Sequence, residues 1–285
     1  MKILITGAEG MLGADLRKAL APEHELTLTD IVGDAMPLDI TDADRTSAVI
    51  AERRPDLVIH AAAYTDVDGC ERDPDRAFLV NSDGTRNVAA ACRQIGAAIV
   101  YVSTDFVFDG EKGEPYTEAD TPNPINHYGA SKLAGENHVR DLCPQHFIVR
   151  TAWLYGERGR SFPRTIINAA KARNELRVIA DQIGSPTFTA DLSLAVRDLI
   201  ADPCCGTYHI TNKGSCSWYE LAVRTLAFAG MNDVEVKPIK SEDWPSPTRR
   251  PAYSVLSHLA LERLGRDNLR GWEEALKDFV SRLDI

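Results

Sequence analysis

Short apolar runs recur along the first half of the chain, at Ile3-Leu4-Ile5, Leu26 to Thr29, Leu57-Val58-Ile59, Ile99-Val100-Tyr101-Val102 and Phe147-Ile148-Val149. Most are continuous rather than alternating, as expected of strands buried on both faces of a parallel sheet. Between the first two, Leu12, Leu16, Ala19 and Leu20 fall on one face of a helix. This alternation predicts an α/β fold, a Rossmann-type doubly wound parallel sheet over residues 1–150 with helices on both faces. From residue 151 onward the pattern mixes helices with fewer strands, and prolines gather at Pro238, Pro245, Pro247 and Pro251. The expectation for 151–285 is a smaller C-terminal α/β substrate lobe, with some segments returning to the first domain. Thr41 with Asp44 and Ser217 with Glu220 have the spacing of helix N-caps, the second a full capping box. The last helix presents Trp272, Ala275, Leu276, Phe279, Val280 and Leu283 on one face, expected to pack on the lobe rather than bind a partner.

A net charge of −10 disfavours nucleic acid and anionic membranes as general partners while leaving room for a local basic pocket. The basic residues Arg158, Arg160, Arg164, Lys171 and Arg173 read equally well as such a pocket or as solvated helix faces, and Arg249-Arg250 form a second group. The N-terminus enters a strand at once, without the apolar region of a signal peptide, and no apolar run is long enough to span a bilayer. Six cysteines without C-x-x-C or zinc-ligand spacing read as reduced thiols of a cytoplasmic protein. Cys204 and Cys205 are expected to pack near a turn.

Candidate chemistry begins at Gly7-Ala8-Glu9-Gly10-Met11-Leu12-Gly13, which follows the first strand and opens the first helix. Glycines there let backbone approach a pyrophosphate, whose charge meets the N–H groups and dipole of the helix start. Asp30 lies at the end of the second strand, where a carboxylate accepts from adenosine ribose hydroxyls and repels a 2′-phosphate. The cofactor is therefore NADH or NADPH, with a lean to NADH. Asp39 and Ile40 are placed beside the adenine. Ala61, Ala62 and Ala63 let the cofactor lie against backbone, or else begin a helix. Tyr128 and Lys132, four residues apart on a predicted helix, share a face, so an ammonium can favour the ionised form of a neighbouring phenol. The pair is an acid/base device.

These segments, with Ala61 to Asp68, Ser103 to Gly110, Arg150 to Gly156, Asp181 to Thr187 and Arg250 to Leu256, resemble the extended short-chain dehydrogenase/reductase superfamily. Within it they are similar to the dTDP-4-dehydrorhamnose reductase branch over nearly the whole chain. The resemblance implies reduction of a nucleotide-linked 4-keto-6-deoxysugar to dTDP-L-rhamnose. It further implies that Thr104 hydrogen-bonds the substrate carbonyl, Tyr128 donates its proton, and Lys132 holds the nicotinamide ribose while depressing the Tyr pKa. Trp153 would pack on the sugar, with Thr65, Val67, Thr104 and Asp105 lining its pocket. Thr65 would also reach the cofactor, and Phe106 and Arg250 the substrate. Some relatives pair through a metal held by C-terminal acidic residues, so a homodimer and Mg²⁺ are implied by resemblance alone, and the sequence identifies no ligands. Two departures concern sugar specificity: Phe106 replaces the usual Tyr, and Gly159-Arg160-Ser161-Phe162 replaces Gly-x-Asn-Phe. The competing readings are a non-catalytic regulatory subunit of the methionine adenosyltransferase beta type, and a nucleotide-sugar epimerase.

Overall fold

A computed structural model of the chain describes residues 1–201 and 204–284. Its first part contains β1 (Lys2–Thr6), α1 (Met11–Leu20), β2 (Glu25–Asp30), β3 (Met36–Pro37), α2 (Ala43–Arg53), β4 (Leu57–His60), α3 (Val67–Arg72), α4 (Pro74–Phe78), α5 (Thr85–Ile95), β5 (Ala98–Thr104), α6 (His127–Leu142) and β6 (His146–Thr151). There follow β7 (Leu154–Tyr155), α7 (Phe162–Ala170), β8 (Glu175–Ile179), β9 (Ile183–Gly184), β10 (Thr187–Phe188), α8 (Thr189–Ile200), β11 (Gly206–His209), β12 (Cys216–Ser217), α9 (Trp218–Phe228), β13 (Glu235–Ile239), α10 (Leu259–Arg263) and α11 (Trp272–Ser281).

Seven strands pair in the order β11-β6-β5-β4-β1-β2-β3, every pair parallel. The chain winds outward from β1 to β3, then returns to β4 on the other side of β1. That reversal opens a crevice at the carboxyl ends of β1 and β4, where doubly wound sheets bind ligands. The pleat divides β1: Ile3 and Ile5 join Leu12 and Leu16 of α1 and Leu192 and Val196 of α8, while Leu4 joins Val49, Val88 and Val139 on the other face. Past β6, a further core of Tyr155, Phe188, Leu221, Leu276 and Phe279 holds α9 and α11 together. The last helix buries the face read from its sequence, from Trp272 to Val280.

Some elements after residue 151 return to the large sheet, β11 as its edge strand and α8 against α1. β11 escapes an apolar-run reading because its sequence, Gly-Thr-Tyr-His, is that of a half-polar edge. The capping box of Ser217 and Glu220 is formed, but α2 is capped by Asp42, whose carboxylate accepts from Arg45 N. Thr41 instead donates to Asp39 at 2.8 Å. Cys204 and Cys205 are exposed, in contrast to the packing expected of them, whereas Cys70, Cys92, Cys143 and Cys216 are buried. Among the described residues, no helix is long and apolar enough to cross a membrane.

Candidate active site

The carboxyl ends of the central strands open into a cleft of about 1410 Å³ that extends across the wall formed by α7, β8 and α9. Its cofactor end is built on backbone. Gly7 has φ +70, and a Cβ at Gly13 would lie 2.2 Å from the Gly7 carbonyl oxygen, so the turn closes only with glycine there. Helix α1 starts without a side-chain cap and without an acid in its first turn. Its leading N–H groups and dipole are therefore left for an anion, which fits a pyrophosphate. Gly10, Met11, Leu12, Asp39 and Ile40 line the same end. Ala61, Ala62 and Ala63 belong to no helix, since α3 begins only at Val67.

Asp30 also lines the cleft, and its carboxylate accepts from Glu9 N at 2.9 Å, Ile31 N at 2.7 Å and Val32 N at 3.2 Å. It therefore ties the glycine turn to the end of β2 as well as placing negative charge there. Beside it, Glu9 pairs with Arg158 at 2.5 Å.

At the far end, β5 delivers Thr104 and α6 delivers Tyr128 and Lys132. Asn126 caps α6 by accepting from Gly129 N at 2.8 Å. A Cβ at Gly129 would lie 2.0 Å from the Phe106 carbonyl oxygen, so this glycine lets the helix start meet the segment after β5. Tyr128 stands edge-on to Phe106, ring centroids 5.7 Å apart. Burial pushes its phenol above the usual range, with the Thr104 hydroxyl acting in the opposite direction.

Lys132 is 2% exposed; its Nζ donates to Val102 O at 2.7 Å and lies 4.1 Å from the Tyr101 ring centroid. Burial lowers its pKa to about 7, against the raising effect of Glu136. The depression of the Tyr128 pKa expected from this lysine is thus not what the structure shows. Helical spacing puts both residues on one face, but a backbone carbonyl and an aromatic ring hold the ammonium, and desolvation dominates the phenol.

Thr104 donates to Asp105 Oδ1 at 3.0 Å and accepts from Phe106 N at 3.2 Å. Asp105 also accepts from Ser254 Oγ at 2.5 Å, and burial pushes its pKa up to about 6. With its single proton directed at Asp105, Thr104 must rotate its hydroxyl to donate to a substrate carbonyl.

Thr65, Val67, Asp105, Phe106, Trp153 and Arg250 line the cleft with these groups. Trp153 takes a left-handed backbone, φ 47, and stacks on Trp218 at 3.5 Å with the rings 8° from parallel. One face of Trp153 is therefore already covered, and Gly184 packs so close to the indole that a Cβ there would lie 2.4 Å from the ring. Trp218 is fixed by donating Nε1 to Gln182 at 3.2 Å. Arg250 donates to Asp68 at 2.9 Å. Arg160 and Arg173 face the cleft, so part of the basic group belongs to a pocket rather than to a solvated helix face.

Trp218, Gln182, Ser254 and Asn81 are the participants that residue-level reading did not single out. Asn81 lies in a π-helical turn, Leu79–Gly84, accepts from Tyr64 N at 2.8 Å and donates to Ser131 at 3.1 Å, joining the 61–66 segment to α6. The signal for Trp218 was its place directly after a capping serine; nothing in the sequence marks the π turn. Among the described residues no cluster of three or more His, Cys, Asp or Glu could hold a metal ion, so no step is assigned to Mg²⁺.

Over residues 1–285 the chain matches the family described as the RmlD substrate binding domain. It is 40% identical to the spore coat polysaccharide biosynthesis protein SpsK of Bacillus subtilis, covering 98% of this chain and 96% of that one. Among solved structures, it is similar to a dTDP-4-dehydrorhamnose reductase from Clostridium acetobutylicum, with TM-score 0.96, 45% identity and both chains fully covered. It is also similar to a dTDP-4-dehydrorhamnose reductase of Bacillus anthracis in complex with NADP, with TM-score 0.95, 44% identity and 99% of each chain covered.

Proposed function

Because the chain belongs to the family of the RmlD substrate binding domain, we propose that it reduces the 4-keto group of dTDP-4-dehydro-L-rhamnose to give dTDP-L-rhamnose. It is an oxidoreductase of nucleotide sugars that works with a nicotinamide cofactor. The observation that carries the residue assignment is that one cleft joins an open helix N-terminus and Asp30 at one end to Thr104, Tyr128 and Lys132 at the other. A bound nicotinamide supplies hydride to the carbonyl carbon. Tyr128 supplies the proton to the carbonyl oxygen, and burial keeps the phenol protonated until the oxygen turns basic. Thr104, once rotated from Asp105, donates to that same oxygen and stabilises its developing charge. Lys132 supplies positive charge near the phenolate left behind and a donor for ribose hydroxyls.

The test is oxidation of NADH and NADPH in the presence of dTDP-4-dehydro-L-rhamnose generated in situ. Absence of turnover with both cofactors would favour the regulatory-subunit reading. A protein that purifies with tightly held oxidised cofactor would favour an epimerase. A cytoplasmic homodimer is part of the proposal, and light scattering of the purified protein tests the pairing.

The cofactor preference proposed is NADH, because the Asp30 carboxylate lines the cleft at the end of β2, whereas the charge of Glu9 beside it is already matched by Arg158. Asp30→Ala is expected to shift the NADH to NADPH selectivity ratio toward NADPH by about tenfold or more, the scale of a hydrogen bond to a charged group. Loss of the tether to Glu9 N weakens both cofactors together, so the ratio is the quantity to measure. An enzyme that already prefers NADPH, with a ratio unmoved by the substitution, would remove Asp30 from the ribose site.

A further inference from the structure

Glu136 lies one helical turn beyond Lys132 and two beyond Tyr128, with 0% of its surface exposed. A buried carboxylate is costly unless its oxygens are fully matched. Here four donors match it: Ser103 Oγ at 2.6 Å, Arg150 Nε and Nη2 each at 2.8 Å, and Arg140 Nη2 at 2.6 Å. Arg150, on β6, is itself buried, pairs in register with Ser103, and directs Nη1 at His209 Nε2, 3.5 Å away. Burial holds the His209 imidazole near pKa 3, so it stays neutral, and its Nδ1 faces the carbonyls of Tyr116 and Ser257.

The end of β5 meets the face of α6 at three consecutive residues. The Val102 carbonyl accepts from Lys132, Ser103 donates to Glu136, and Thr104 stands beside Tyr128. Two of these contacts involve the reacting groups. The third, Ser103 with Glu136, touches no reacting atom yet couples the same strand to the same helix.

We propose that Glu136 is a positioning residue for the reduction: through Ser103 and Arg150 its carboxylate holds the helix bearing Tyr128 and Lys132 in register with the strand ending in Thr104. The inference rests on the catalytic reading given above. It has a second, electrostatic consequence, since the Glu136 charge favours protonated Lys132. The groups that meet the lysine itself are Tyr101 on β5 and His60 on β4, while Asp105 and Cys70 act on the neighbouring Tyr128, and Arg150 and Arg140 on Glu136. His60 is held near pKa 3 by burial and Tyr101 is pushed well above its usual range, so both remain neutral near pH 7. Of the carboxylates, Glu136 is the one whose influence on Lys132 is resolved.

The experiment uses the full-length protein with NADH and the keto-sugar nucleotide, comparing Ser103→Ala, Glu136→Gln and Glu136→Asp. Ser103→Ala leaves the ion pair with Arg150 intact and should fold. Its kcat should fall about tenfold, as for loss of a hydrogen bond to a charged group, with substrate KM, NADH affinity and the pH profile unchanged. Glu136→Gln should also lower kcat and move the alkaline limb of the profile down by about one pH unit, because a neutral amide no longer supports protonated Lys132. Glu136→Asp restores the charge, so its limb should return to the wild-type position while kcat stays reduced. Wild-type kcat in Ser103→Ala, or an unmoved limb in folded Glu136→Gln, overturns the proposal and leaves the network a merely structural one. If Glu136→Gln fails to fold, Ser103→Ala decides alone. Wild-type turnover, measured first, separates failure of this inference from failure of the reductase reading.

Discussion

Replacing Tyr128 with Phe is expected to lower turnover by about 100- to 10,000-fold, the range contributed by a positioned general acid, while cofactor affinity stays nearly unchanged. The substitution removes one hydroxyl and keeps the ring that packs edge-on against Phe106. Helix α6 keeps its Asn126 cap and its contact through Gly129, so Lys132 stays in place. The loss should therefore appear in kcat rather than in the dissociation constant of NADH, read by quenching of protein fluorescence. Burial makes the phenol a weak acid, which suits proton donation to a developing alkoxide far more basic than a ketone oxygen. A Phe variant retaining more than about a tenth of the activity would assign the proton to another group. Thr104, whose hydroxyl already donates to Asp105, would be the first to consider.

Much of this arrangement is legible in the sequence because its signals are local. Continuous apolar runs mark β1, β4, β5 and β6, and a glycine turn between strand and helix marks the cofactor end. The interval between Tyr128 and Lys132 places both on one helical face. The cofactor- and substrate-binding candidates named from sequence, Asp30 and Arg250 among them, all line the one cleft.

What was not legible depends on contacts distant in sequence. Whether Lys132 acts on Tyr128 or on a carbonyl depends on how Val102 is presented by a strand 30 residues away. The proton on Thr104 is claimed by Asp105, which is held in turn by Ser254, 149 residues further on. Trp153 has an accessible ring only as far as Trp218 allows, and no local pattern encodes that stack. The α2 cap shows the smaller scale of the same problem. Asp42 and Thr41 are both competent caps, and the competing Asp39 carboxylate takes the threonine.

Lys132→Met is expected to damage both binding and chemistry, because in the proposed reaction one ammonium serves the cofactor ribose and the proton-transfer step. Methionine keeps an unbranched apolar stem against Tyr101 while removing the charge and the donation to Val102 O. Loss of a charge-assisted hydrogen bond predicts about 10-fold or greater weakening of NADH, and the missing positive charge should lower kcat by about 100-fold or more. The pH dependence supplies the sign. Burial brings the lysine to about 7, so it carries its charge below that pH and loses it above. Wild-type turnover should therefore decline on the alkaline side, at a position that bound cofactor can shift but not abolish. The Met variant lacks the charge at every pH, so its profile should lose that limb and run at the depressed level throughout. A variant that kept the wild-type limb and normal NADH affinity would show that another group titrates there and that Lys132 serves only to anchor α6 to β5.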